Sequence, residues 1–426
     1  MIEKKTLDFE IKTERCILVG IVLPDQSKWE VIDHIDELRA LAETSGAEIV
    51  ESFIQNKTKP DAAYFIGKGK LEELALYIEM QEIDIVIFDD ELSPAQVKNI
   101  ENILKVKVID RAALILDIFA NHARTNEAKV QVELAQLNYL LPRLTRQWQH
   151  LSRQVGGIGT KGPGETQLET DRRLVRTRIS NLKKQLEKIS NQMKTQRQQR
   201  STMFRAALIG YTNAGKSTIM SALTNADVLI ENKLFATLDT TVRRLELNSR
   251  TEILLSDTVG FIRKLPHHLV ASFRTTLAEA LEADLLLHIV DITHPAYKDQ
   301  IDVVNQILDD MNLEKTNLLL VFNKVDALKN RGLLDQLRYD YPNALYVSGR
   351  RHIGINGLKK RLLEILENQY ETTHFQLRHD SGIPLHQFHT LGKVLEERFD
   401  EEYLYLDIKY PIENKSKINA LLKKYK

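Results

Sequence analysis

Lysine, serine and two glycines stand at a chemically telling spacing in Gly210-Tyr211-Thr212-Asn213-Ala214-Gly215-Lys216-Ser217-Thr218. The pattern is that of a loop built to hold phosphate. Backbone N–H groups of such a loop converge on phosphate oxygens, and the helix that follows adds the partial positive charge of its N-terminus. Lys216 supplies a point charge to β- and γ-phosphates, and the Ser217 hydroxyl is placed to ligate Mg2+. Residues 206–209 are a short apolar run readable as a buried strand, the context the pattern requires. A chance Gly/Lys/Ser loop does not predict that strand.

Two later stretches identify the base and the phosphate sensor. Glu252-Ile253-Leu254-Leu255-Ser256-Asp257-Thr258-Val259-Gly260 is an apolar run ending in Asp-x-x-Gly. Asp257 is there to hold Mg2+ through a water, and the Gly260 N–H to report on a γ-phosphate. Leu318-Leu319-Leu320-Val321-Phe322 is a third run, closed by Asn323-Lys324-Val325-Asp326. A carboxylate at the last position accepts both N1–H and N2–H of guanine, a pair that adenine lacks. A site built on such bonds rejects the wrong base strongly, because its buried polar group is left unpaired. Three motifs in this order, each at a strand's carboxyl end, imply binding of GTP and GDP with Mg2+.

The elements that position these loops belong to a chain of 426 residues, long enough for two to four domains. Its 43% apolar content is that of a soluble globular protein. The single cysteine, Cys16, excludes a disulfide scaffold and reads as a packed strand residue. No segment approaches 18 uncharged apolar residues, and the N-terminus lacks a signal-peptide core. The expected location is the cytoplasm, without stable membrane insertion and at most with peripheral membrane association; the expected state is a monomer. His122, His267, His268 and His294 have no second ligand at metal spacing, so a zinc site is not expected.

Net charge is zero, yet it is unevenly spread. Residues 1–120 carry 14 Lys and Arg against 24 Asp and Glu, whereas 143–200 carry 14 against 4. The basic block is a candidate nucleic-acid contact, and a solvated helix face is the plainer alternative.

The fold class expected is α/β and multidomain. Residues 1–122 alternate strand and helix signals, with strands at 16–23, 47–54 and 83–88 and helices at 29–44, 70–80 and 94–104. That is a small doubly wound α/β domain with a mainly parallel sheet. Gly67-Lys68-Gly69-Lys70 begins a helix and is either a turn or an anion-binding start. In 123–202, Leu134, Leu137, Leu141 and Leu144 fall at coiled-coil spacing, as do Leu168, Val175, Ile179, Leu182, Leu186, Ile189 and Met193. An antiparallel helical hairpin is expected, with a loop near 146–164 holding Gly156, Gly157, Gly159, Gly162 and Gly164. Arg146, Trp148, Arg153, Lys161, Arg172 and Arg173 lie in or beside it and suit phosphate contact and base stacking. RNA contact is favoured over a passive linker, since loops this long are commonly functional or disordered. Residues 203–370 are the P-loop nucleotide domain, with strands near 206, 234, 252, 285, 318 and 345. Residues 371–426 read as strand, helix, strand (403–410) and short helix, a small C-terminal α/β domain with no evident chemistry.

The stretch Gly156-Gly157-Ile158-Gly159-Thr160-Lys161-Gly162-Pro163-Gly164-Glu165-Thr166-Gln167-Leu168-Glu169-Thr170-Asp171-Arg172-Arg173, upstream of the phosphate loop, resembles the signature of the HflX family of ribosome-associated GTPases. Phe235-Ala236-Thr237-Leu238-Asp239 and Asp257-Thr258-Val259-Gly260-Phe261-Ile262 resemble that family's switch segments. The resemblance implies binding to the large ribosomal subunit and its rRNA, with the hairpin loop directed at the peptidyl-transferase centre. It also implies splitting of stalled or idle ribosomes under stress, GTP favouring binding and hydrolysis favouring release. By the same resemblance Thr237 joins Ser217 on Mg2+ and residues 235–239 cover the phosphates. Lys216, Thr237 and Gly260 carry the hydrolytic step, and Ser348-Gly349-Arg350 is the last guanine loop. This sequence departs from the family at Lys161, where arginine is usual, at Thr240, where proline is usual, and at Gly349-Arg350, where Ala-Lys is usual. Asn213 is the residue type with which related GTPases hold K+, which implies a K+ requirement. Phe261 stands where many GTPases carry a water-orienting glutamine, so intrinsic hydrolysis is expected to be slow and stimulated by the ribosome. Two other functions fit the residues: a GTPase that assembles the large subunit, and a GTP switch that docks a protein and leaves RNA alone.

Overall fold

A computed structural model of the chain describes residues 13–147, 163–198, 203–224, 234–235, 240–249, 251–264, 282–311, 313, 318–328, 331–378, 385–400 and 402–425. The architecture is multidomain α/β with two parallel-type sheets and a smaller antiparallel one.

The N-terminal sheet is built from β1 (Arg15–Val22), β2 (Glu48–Asn56), β3 (Ile85–Phe88) and β4 (Lys107–Asp110), in the order β2-β1-β3-β4 and wholly parallel. Its central strands are continuous apolar runs because both faces are covered. Cys16, Leu18, Ile85 and Ile87 pack against α1 (Lys28–Ser45) and α4 (Arg111–His122). Ile17, Val19, Val86 and Phe88 pack against α2 (Lys68–Gln81) and α3 (Pro94–Leu104). Capping boxes start α1 at Ser27/Glu30 and α3 at Ser93/Gln96, each satisfying two orphan N–H groups. Gly67 is the N-cap of α2, and its N–H is already held by Gln55 Oε1 at 2.8 Å. Strand β4 and helix α4 extend the doubly wound plan past the elements read from sequence.

Two long helices follow, α5 (Asn126–Gln147) and α6 (Pro163–Gln198). Val130 and Leu134 meet Ile179 and Leu182, flanked by Leu137, Leu141, Val175 and Leu186, which is the expected leucine seam. Arg178 and Glu133 add a bidentate pair at 2.6 and 2.8 Å. The opposite face of α5 belongs to the N-terminal core through Ala128, Val132, Ala135 and Tyr139. There Asp110, fully buried, caps α4 and receives the Tyr139 hydroxyl at 2.8 Å and Arg143 at 3.0 Å. Trp148, Arg153, Lys161 and the glycines 156, 157, 159 and 162 lie outside the described residues.

The third unit holds a six-stranded sheet in the order β10-β9-β8-β5-β7-β6, with β5 (Arg205–Gly210), β6 (Thr241–Asn248), β7 (Thr251–Asp257), β8 (Leu285–Asp291), β9 (Leu318–Asn323) and β10 (Leu345–Tyr346). All pairings are parallel except β6 with β7. The strand expected near 234 is misplaced: Leu234 and Phe235 form a turn, and their side chains join the N-terminal core. The strand is β6, an edge strand of alternating Val-Arg-Arg-Leu-Glu-Leu, whose polar face hid it among the apolar runs.

The C-terminal sheet has three antiparallel strands, β11 (Tyr370–Arg378), β13 (Tyr403–Pro411) and β12 (Lys393–Phe399), with β13 central. Two of these strands are expected from the sequence; β12 adds a third, a charged edge strand (Lys393-Val394-Leu395-Glu396-Glu397-Arg398-Phe399) without an apolar run to mark it. Among the described residues no helix is long and apolar enough to cross a membrane.

Candidate functional site

The motif residues converge at the carboxyl edge of the six-stranded sheet, where open α/β sheets take their ligands. Central β5 delivers Gly210 with φ +144°, in contact with β8: a Cβ there would lie 2.2 Å from the Ile289 carbonyl oxygen. The chain then turns through Tyr211, Thr212, Asn213 (φ +59°), Ala214 and Gly215 (φ +89°). A Cβ on Gly215 would collide with the Asn323 amide at 2.3 Å, so glycine is obligatory there. Helix α7 (Lys216–Thr224) begins at the lysine and carries Ser217 and Thr218 in its first turn.

Lys216 is 7% exposed, and its Nζ donates to the carbonyls of Gly210 at 3.2 Å and Tyr211 at 3.0 Å. Burial pushes the ammonium down to about 8, against the pull of Asp257. A dianionic phosphate beside it would reverse that shift. The Ser217 hydroxyl donates to Asp257 Oδ2 at 2.6 Å. The two groups expected at Mg2+ therefore meet at one point, with the hydroxyl oxygen's lone pairs still available to a divalent ion. The Thr212 hydroxyl is buried with no hydrogen-bond partner among the described residues, an orphaned polar group within the loop. These residues fit Mg2+ and a nucleotide phosphate.

The base end is equally connected. Asn323 Nδ2 donates to the Ala214 carbonyl at 2.9 Å, and its Oδ1 accepts the Gly349 N–H at 3.1 Å. Asn323 thus ties the phosphate loop to the Ser348-Gly349-Arg350 loop. Lys324, at φ +66°, pairs with Asp291 at 2.6 Å, Val325 starts a 3-10 turn, and Asp326 stands at the rim with Arg351 4.0 Å away. A Cβ on Gly349 would lie 3.2 Å from Ile219 and Thr218, so an alanine fits only after a small shift. Arg350 is exposed.

Asp257, Thr258, Val259 and Gly260 follow β7 into the site. Thr258 Oγ1 donates to the Leu208 carbonyl at 2.7 Å, fixing the segment to β5. Phe261 is 3% exposed, set among Ala207, Ile209, Leu286, Val304 and Leu308 and turned away from the nucleotide position. Beneath the loop, β8 carries His288, 1% exposed, its Nδ1 unpartnered among the described residues; burial and Lys216 push it down to about 4. Of the switch residues Phe235 is described, whereas Ala236, Thr237, Leu238 and Asp239 lie outside the described residues. Arg172 is half-buried and Arg173 exposed on α6; Arg146 lies near the end of α5.

Sequence reasoning missed a set of groups that come from elsewhere in the chain. The Tyr211 hydroxyl donates to Glu37 of α1 at 2.8 Å and accepts the Arg263 N–H at 2.9 Å. Burial and the neighbouring carboxylate push that phenol well above its usual range. The arginine that opens α4, directly before the apolar run 112–116, was the available signal.

Comparison with known proteins decides the family. Residues 32–120, 122–200 and 205–324 match family models described as GTP-binding GTPase N-terminal, GTP-binding GTPase middle region and 50S ribosome-binding GTPase. The GTPase HflX of Caldanaerobacter subterraneus subsp. tengcongensis is 44% identical over 411 residues, covering 96% of this chain and 94% of its own. The chain belongs to the HflX family of GTPases. GTPase HflX of Escherichia coli K12 is 40% identical, with 94% of each chain covered, and that of Flavobacterium psychrophilum 53% identical over 78% and 79%. A GTP-binding protein of Sulfolobus solfataricus, solved with GDP, matches 84% of this chain and 99% of its own at 25% identity and a TM-score of 0.44. As a member of the family, the protein is a GTP hydrolase.

Proposed function

We propose that this GTPase binds the large ribosomal subunit and separates ribosomes into subunits, rescuing stalled or idle ribosomes under stress and leaving when GTP is hydrolysed. The observation that carries the reading is the convergence of the phosphate-loop and guanine-loop motifs at one sheet edge, in one chain with a long basic helical hairpin. In this reading 1–122 is the N-terminal α/β domain, 123–202 the hairpin, 203–370 the GTPase domain and 371–426 the C-terminal domain.

Residues 210–218 cradle the phosphates, Lys216 bridges β- and γ-phosphates, and Asp326 reads guanine N1–H and N2–H while Asn323 braces both loops. Ser217 and Thr237 would hold Mg2+ directly and Asp257 through a water; bound there, the ion would neutralise charge developing between the β- and γ-phosphates. The Gly260 N–H reports the γ-phosphate. Phe261 is buried and cannot orient water, so the attacking water is positioned by backbone groups and by the ribosome, and unaided turnover is slow. Asn213, held at positive φ in the loop, is the residue through which K+ would act; equal turnover in Na+ and K+ removes that requirement. Arg146, Trp148, Arg153, Lys161, Arg172 and Arg173 meet rRNA.

The test is sedimentation of intact ribosomes with the protein and GTP, a non-hydrolysable GTP analogue or GDP. Conversion to subunits with GTP and with the analogue, and none with GDP, is expected. Ribosomes that stay intact while the protein rides only on free large subunits would assign it to subunit assembly. Protein remaining at the top of every gradient would leave a protein-docking switch.

A further inference from the structure

The C-terminal sheet is covered on one face only among the described residues. Along β13, Leu404, Leu406, Ile408 and Tyr410 are buried with Phe388 and Ile418, which come from the helices Leu385–Leu391 and Lys415–Tyr425. Side chains alternate across a strand, so Tyr403, Tyr405, Asp407 and Lys409 stand on the other face. The register sets Arg378 of β11 opposite Tyr403. It sets Gln376 of β11 and Arg398 of β12 on either side of Tyr405, and His374 and Glu396 on either side of Asp407. Tyr405 is 40% exposed, and Gln376, Arg378 and Arg398 around it are exposed as well.

Gln376 Nε2 donates to the Tyr405 hydroxyl at 3.3 Å, which leans that ring toward β11. Tyr403 lies two residues away on the same face, about 6.8 Å along the strand. Both carboxylates of the face are already matched, Asp407 by His374 at 2.5 Å and Glu396 by Arg398 at 2.6 Å. Arg378 stands at one end of the β13 column and Lys409 at the other, its ammonium 5.6 Å from the Tyr370 ring. Arg378, Arg398 and Lys409 thus outnumber the carboxylates, and the surface complements a polyanion. Neither β11 nor β13 puts an aliphatic side chain on this face, whereas the core of a protein-docking surface is predominantly apolar. Aromatic rings set among arginine and lysine on an open sheet suit a strand of unpaired bases, each of which has a π-face to stack. A duplex hides those faces.

We propose that the open face of the C-terminal sheet is a platform for single-stranded RNA. Tyr403 and Tyr405 each stack a base, and Arg378, Arg398 and Lys409 meet phosphates. The surface lies outside both the hairpin and the nucleotide site, so it stands or falls apart from them. The full-length protein is titrated with fluorescent oligouridine of about 12 nucleotides and with duplex RNA of the same length. The titrations are repeated in an Arg173→Glu, Lys184→Glu background, which reverses charge on the hairpin. In both backgrounds Tyr403→Ala and Tyr405→Ala are each expected to weaken the single strand about tenfold and to leave the duplex unchanged. Tyr405→Phe, which keeps the ring, is expected to stay within about twofold of wild type. Arg378→Gln is expected to flatten the slope of log affinity against log salt by about 0.7, whereas the tyrosine variants leave the slope as it was. Oligouridine carrying 4-thiouridine is expected to crosslink at residues 403–405. Wild-type affinity in both alanine variants, or crosslinks confined to the hairpin, overturns the platform and leaves the face to a protein partner or to water. A loss in Tyr405→Phe equal to that in Tyr405→Ala overturns the stacking, since the bond to Gln376 would then be what matters.

Discussion

Replacing Phe261 by glutamine restores the residue type many GTPases use to orient water, yet the structure argues that catalysis will not follow. The ring is almost wholly buried among Ala207, Ile209, Leu286, Val304 and Leu308. A buried phenyl removes about 150–250 Å2 from water, worth about 4–6 kcal/mol as an upper bound. Two glutamine methylenes recover about 1.6 kcal/mol, and an amide without a partner in that pocket costs about 1–3 kcal/mol. Allowing for the partial compactness of the denatured chain, Phe261→Gln should destabilise the nucleotide unit by roughly 3–5 kcal/mol. That corresponds to a melting temperature lower by roughly 10 °C for a unit of this size. Phe261→Leu, which keeps the pocket apolar, should cost about 1 kcal/mol. The assays are thermal melting and single-turnover hydrolysis at saturating GTP, where both variants should stay within about threefold of wild type, since neither side chain reaches the nucleotide. A Phe261→Gln variant that melts with the wild type and hydrolyses GTP at least tenfold faster would refute the reasoning: position 261 would then face the water.

Three further outcomes follow from the same geometry. Asp326→Asn replaces an acceptor by an amide that suits the 2-oxo group of xanthine, so GTP affinity should fall by on the order of 10³-fold while XTP binding appears, read by competition titration. His288 is held neutral, its folded value near 4 lying below the ordinary 6.5. The unfolded chain therefore binds more protons across that window, and stability should fall as pH drops from 6.5 toward 4. Melting curves of His288→Leu should show a shallower acid slope over that range, and an identical slope would refute the assignment. Ser217→Ala removes the hydroxyl that meets Asp257, so the gain in GTP affinity on adding Mg2+ should shrink about tenfold or more, measured with and without chelator.

The nucleotide site was legible because each of its motifs is local: a few residues at fixed spacing on a loop that one apolar strand delivers. The parallel strands were legible for a related reason, since burial on both faces leaves runs such as Ile85–Phe88 with no polar interruption. Edge strands fail that test. Thr241–Asn248 and Lys393–Phe399 show water a charged face, and their partners across the sheet decide their conformation. Leu234 and Phe235 misled in the opposite sense, because their apolar side chains serve a contact with α4 rather than a strand. Tyr211 bonds Glu37 across 174 positions, and Lys264 bonds Asp89 across 175. No periodicity in one segment could announce such contacts; Asp89 and Asp90 simply follow the strand at 83–88.

Helix α6 has 36 residues and ends seven residues before the strand that feeds the phosphate loop. At 1.5 Å per residue it is about 54 Å long, close to twice the diameter of a small domain. A rigid rod of that length is a lever that trades force for distance. Tilting it by about 10° at the nucleotide end would sweep its other end through about 9 Å. A displacement near the phosphates too small to rearrange a surface directly is in this way magnified to the width of a nucleotide at the far tip. The leucine seam with α5 stiffens only part of that span, so the rod's gain is set by how firmly its basal end is gripped.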